Sequence, residues 1–236
     1  MAGRDQFNSI VTDIERRLSS FYGFTRKALA CDHLVTFEEL KSALELEKFT
    51  PVNRDDRESG VFLIPEKSNN DLFIGIYFSD EVIDTLSKQS PEESLTNANL
   101  DAFCVLVEEL SHFHLLLNRI NDQKATSHLE LEWQGEVDKM LMAATILQEK
   151  EGDPHVVQLM RMIYDHALIT DVHRRDLYWE ATRFAAKFWL DQISLSRNLS
   201  RLIQSSDLRR LLKHLYEASW QQKLEVFSKQ LERKAS

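Results

Sequence analysis

The chain has 236 residues with a formal net charge of −9, 43% hydrophobic and 28% charged residues, and a mean hydropathy of −0.36. That is enough to bury a substantial core and too apolar for a disordered chain, and no run nears the roughly 20 apolar residues that span a bilayer. The charged N-terminal stretch does not read as a signal peptide, and two cysteines (Cys31, Cys104) supply neither a disulfide scaffold nor a cysteine zinc site, so a cytoplasmic protein with no membrane association is expected.

From about Arg4 to Phe21, Phe7, Ile10, Val11, Ile14 and Leu18 recur at three-and-four spacing and predict an amphipathic helix. A second helix is expected over Phe37 to Lys48, with Thr36 as N-cap and Glu39 as its capping-box partner. After the polar stretch PVNRDDRESG, the runs VFLIPEK and DLFIGIYF, joined by Ser68-Asn69-Asn70, read as a β-hairpin near residues 61–78. Both faces of the second strand are apolar, and Pro65 marks the first as an edge. Because two strands alone are marginal, helices must cover them.

Ser79 caps a short helix through Val82, Ile83 and Leu86, and the rest of the chain reads as helical. The expected helices lie near 98–120, 128–150, 154–168 (Pro154 in the first turn, Asp153 as cap), 175–197 and 207–233, the last either continuous or broken. The fold class is α+β, predominantly α: one domain over 1–236, with N-terminal helices in 1–50, the hairpin in 60–79 and an antiparallel helical bundle in 80–236.

Charge is segregated. Residues 92–153 carry 13 acidic and four basic side chains, whereas from Leu195 onward there are nine basic and four acidic ones. Solvated helix faces are the simpler explanation. A pI near 5.4 argues against a nucleic-acid partner.

Six of the eight histidines fall between 112 and 173. On the 98–120 helix, Glu108 and Glu109 lie one turn before His112, beside Ser111. His114 falls on the apolar stripe and reads as a core histidine. The 128–150 helix adds His128, Glu130, Glu132, Glu136 and Asp138, and Gly135 lets another helix approach closely. A seven-residue loop makes the two helices antiparallel neighbours, so their polar groups are expected to meet.

Three readings follow. One is a di-iron or di-manganese carboxylate centre between the two helices, with Glu109, His112, Glu132 and Glu136 as ligands and Glu108 an alternative to Glu109. Such sites use Glu-x-x-His pairs, of which Glu109–His112 is the only copy; Asp165, His166, Asp171 or His173 would have to stand in for the second. The next is metal-free general-base catalysis by His112, oriented by Glu108. The third is a buried structural network satisfied by Lys139, Arg119 or backbone groups. Farther along, Tyr178, Trp179 and Trp189 offer a pocket floor beside Arg174, Arg175 or Arg183, though core packing is the simpler role. Arg209, Arg210 and Trp220 offer a partner surface.

The segments Glu108-Glu109-Leu110-Ser111-His112-Phe113 and Leu129-Glu130-Leu131-Glu132-Trp133-Gln134-Gly135-Glu136-Val137-Asp138-Lys139 resemble two motifs of a group of uncharacterised bacterial proteins, in which the same two helices follow one another. The resemblance covers about residues 60–190 and implies a bacterial source and a shared scaffold. It points to Glu108, Ser111, His112, Glu132, Glu136, Asp138 and Lys139. Long amphipathic helices, no complete catalytic signature and segregated charge make protein–protein interaction the expected function, as an adaptor or regulator without a cofactor. The alternative is a metal-dependent oxidoreductase using iron, manganese or zinc.

Overall fold

The computed structural model describes residues 2–24, 28–47, 59–65, 72–152, 155–164, 175–196 and 198–226. Helix α1 (Ala2–Tyr22) buries Phe7, Ile10, Val11, Ile14 and Leu18, the predicted stripe, and extends it with Phe21. A 3-10 turn (Ala30–His33) then leads through a two-residue strand, β1 (Leu34–Val35), into α2 (Phe37–Glu47). The cap is reciprocal, as the Thr-x-x-Glu spacing predicts. Thr36 Oγ1 accepts from the Glu39 amide at 3.2 Å, and Glu39 Oε2 accepts from the Thr36 amide at 2.7 Å.

Strands β2 (Gly60–Pro65) and β3 (Leu72–Tyr77) pair antiparallel, from Gly60 opposite Tyr77 to Pro65 opposite Leu72. Pro65 closes the ladder on an edge strand, where its missing amide is harmless. β1 lies on the other side of β3 and pairs parallel to it, Leu34 with Ile76 and Val35 with Tyr77, giving the order β1-β3-β2. The third strand answers the marginality of a lone hairpin. Ile74, Ile76 and Tyr77 of β3 are buried, while Phe73 is 41% exposed, so the covering is incomplete on one face. The expected turn at Ser68–Asn70 and most of PVNRDDRESG lie outside the described residues.

α3 (Asp80–Lys88) starts at Ser79, whose hydroxyl accepts from the Val82 amide. The bundle follows: α4 (Leu100–Asn121), α5 (His128–Glu151), α6 (Val156–Tyr164), α7 (Arg175–Ser196), α8 (Leu199–Gln204) and α9 (Ser206–Glu217). A further helical segment, 220–226, follows a break at Ala218–Ser219, the interruption foreseen in the last helix. α8 stands in the gap between the helices expected over 175–197 and 207–233; the Asn198 side chain caps it by accepting from the Arg201 amide at 2.7 Å. The Asp153–Pro154 cap, the stretch after Tyr164 and residues 227–233 lie outside the described residues. Among the described residues, no helix is long and apolar enough to cross a membrane.

α5 runs through the centre, packed against α4 on one side and α7 on another, with α1, α6 and α8 also touching it. Every residue from Glu132 to Ala144 is buried. Pairings fall along α5 as they rise along α4 (Glu108 with Lys139, Arg119 with Glu130), so the two helices are antiparallel. A helix covered on all sides cannot turn its polar residues to water. Glu130, Glu132, Gln134, Glu136, Asp138 and Lys139 must therefore find partners inside the core.

Candidate functional site

The α4–α5 seam is close because of Gly135. A β-carbon there would lie 3.2 Å from Glu108 Cγ and 3.3 Å from His112 Nε2. On α5, positions 132, 136 and 139 follow one another by a turn and share a face. That face meets Glu108 and His112.

His112 is 4% exposed, with its imidazole between two carboxylates: Nδ1 is 3.6 Å from Glu109 Oε2 and Nε2 is 3.7 Å from Glu132 Oε2. Nε2 is buried and has no hydrogen-bond partner. Glu108, Glu109 and His112 each bring one ligand atom within 4.8 Å of the others'. Burial works to lower the His112 pKa, but Glu132, Glu109 and Glu108 outweigh it and lift it to about 9. Burial lifts the Glu132 carboxyl to about 7 against the pull of His112.

The other end of this face belongs to Lys139. Its ammonium lies 2.5 Å from Glu108 Oε2 and 2.9 Å from Glu136 Oε1. Burial opposes its charge, yet Glu108 and Glu136 hold its pKa well above the ordinary lysine value. Burial raises the Glu136 pKa, with Lys139 opposing. Nearby Cys104 is pushed up to about 12 by burial.

Ser111 and Asp138 are not part of this cluster. They face another side of the seam, where Ser111 Oγ donates to Asp138 Oδ2 at 2.6 Å and the Tyr22 hydroxyl donates to Oδ1. Gln134 Nε2 donates to the same carboxylate at 3.2 Å. A third network joins Arg119 and Lys223 to Glu130 Oε1, at 2.6 and 2.9 Å. His114 is paired separately, with Nε2 2.9 Å from Glu15 Oε1 and its ring stacked on Phe24.

Thus Glu108, Glu109, His112, Glu132, Glu136 and Lys139 converge, while Ser111 and Asp138 turn away. Tyr22 and Lys223 lie in no motif, Gln134 lies inside one without being singled out, and none was anticipated as a member of the buried networks. The supposed substitutes Asp165, His166, Asp171 and His173, and also Arg174, lie outside the described residues. The aromatic pocket floor does not form: Trp189 is fully buried and donates to Val137 O at 3.3 Å, whereas Trp179 is 67% exposed. Arg209 and Arg210 are exposed and Trp220 is half-buried. Arg209 lies over Phe21, Arg210 pairs with Asp207, and Trp220 packs edge-on to Trp133 and Phe184. No family model, curated protein or solved structure matches the chain.

Proposed function

We propose that this protein binds a divalent transition-metal ion between α4 and α5, on Nε2 of His112. The observation that carries the reading is that nitrogen: buried, without a hydrogen-bond partner, and facing Glu132 across 3.7 Å, on a histidine whose ligand atoms gather with those of Glu108 and Glu109 within 4.8 Å. Two donors each about 2.1 Å from a tetrahedral ion sit about 3.4 Å apart, so a small closure of this gap suffices. Mixed imidazole and carboxylate donors suit manganese, iron or zinc. Glu109, on Nδ1, is the carboxylate that orients the ring, an arrangement common around metal-bound histidine. The ion supplies the positive charge that a proton on His112 otherwise gives these carboxylates.

Metal analysis of protein purified without a histidine tag tests this. Near-stoichiometric iron, manganese or zinc, lost in His112→Ala, is expected. No uptake after reconstitution with each ion removes the reading, and with it the metal-dependent oxidoreductase.

A second reading, an adaptor or regulator in a bacterial cytoplasm, draws on the resemblance in residues 108–113 and 129–139. It also draws on Trp179 and Leu190, which are 67% and 54% exposed and lie three turns apart on the outward face of α7. Here the wild type is expected to co-purify with a stable protein partner that the Trp179→Ser, Leu190→Ser variant loses. A wild type that purifies alone counts against this role.

A further inference from the structure

We infer that the site holds one metal ion and not two, because the Lys139 ammonium occupies the place where a second would bind. This rests on the metal reading above and specifies its nuclearity.

Paired metal ions lie about 3.5–4 Å apart and are held by carboxylates they share. The carboxylates available for sharing here are Glu108 and Glu136, and both are already on Lys139 Nζ, at 2.5 and 2.9 Å. The lysine comes from the same helix face as Glu132 and Glu136, and its side chain is only 11% exposed. An ammonium held between two carboxylates in a buried seam does the electrostatic work of a second cation without needing coordination geometry. A dication entering there must displace it into a space with no second carboxylate pair for it among the described residues. At the other end Glu132 pairs with His112 at 3.7 Å and feels Lys139 only as a more distant charge, and this is where the unpartnered nitrogen sits. The chain's one Glu-x-x-His pair then serves a single ion, with His112 as the ligand and Glu109 behind its ring, and Lys139 stands in place of the second ion.

The distinction bears on chemistry. A single ion polarises a bound oxygen. It does not clamp both the attacking and the leaving oxygen, as ion pairs do.

The experiment is a titration of chelator-treated full-length protein with Mn²⁺, followed by calorimetry and electron paramagnetic resonance. One ion per chain is expected, with the resolved hyperfine pattern of an isolated Mn²⁺. In Lys139→Met, which keeps the stem and removes the charge, the capacity is expected to rise to two. Two ions in the wild type, or an exchange-coupled spectrum, overturn the inference and leave the metal reading standing. One ion in a folded Lys139→Met protein also overturns it, since the lysine would then not be what excludes the second. No Mn²⁺ binding by the wild type overturns both. Should Lys139→Met not fold, the wild-type stoichiometry and spectrum decide.

Discussion

A β-carbon on Gly135 would lie 3.3 Å from Nε2 of His112, closer than nearly all ordinary contacts of that atom. Gly135→Ala gains up to about 1 kcal/mol of helix propensity. It also presses on the imidazole and on Glu108, which sit where the ion is proposed. The denaturation midpoint is expected to stay within about 1 kcal/mol of wild type, while Mn²⁺ affinity falls about tenfold, as it does when the surroundings of a metal ligand are disturbed. Unchanged affinity would separate the glycine from the site.

Asp138 gives the fold a pH dependence of its own. Burial raises its carboxyl, against donors from Ser111, Tyr22 and Gln134, to about 6 in place of 3.8. A group whose pKa is raised on folding stabilises the fold fully below its unfolded value, and this contribution fades as pH climbs through the folded one. Relative to Asp138→Asn, the wild type is expected to lose up to about 3 kcal/mol between about pH 4 and pH 7. Urea midpoints of both proteins measured across that range check this; parallel curves contradict it. Tyr22→Phe removes one donor, is expected to cost about 1–2 kcal/mol, and moves the window to higher pH.

Glu130 neutralises two buried cations at once. Arg119 is 1% exposed and Lys223 is 0% exposed, and burial brings the Lys223 ammonium down to about 8 even beside a carboxylate. Glu130→Ala leaves both charges in the core and is expected to cost about 3–5 kcal/mol. Lys223→Met leaves Arg119 on Glu130 and an apolar stem over Trp133, for about 1–2 kcal/mol. Equal losses in chemical denaturation would show that the lysine, and not the shared carboxylate, organises the group.

Glu108 is the most exposed carboxylate of the central cluster, at 16% of its side chain. Its removal leaves Lys139 with Glu136, so Glu108→Ala is expected to lower stability by about 1–3 kcal/mol. An unshifted midpoint counts against a buried pair.

What could be read from the sequence was what depends on near neighbours. Thr36 and Glu39 cap α2 through contacts three residues apart, and the α1 stripe follows from periodicity alone. The convergence of Glu108, His112, Glu132 and Glu136 followed from two helices joined by a short loop. Asp138 was grouped with them by proximity in sequence, yet around α5 it lies about 120° from Glu132 and about 160° from Glu136. β1 could not be seen because a two-residue strand exists only through its pairing with Ile76 and Tyr77, some forty residues later. Lys223 was hidden for a similar reason. In a helix rich in charge, nothing local tells the one lysine that enters the core from those that face water.

That lysine makes its segment a closing bolt. While the chain is being synthesised, Glu130 and Trp133 leave the ribosome about ninety residues before Lys223, so this part of the core stays open to water until the later segment has followed. A protease trimming the chain back past residue 220 would undo the same closure from outside.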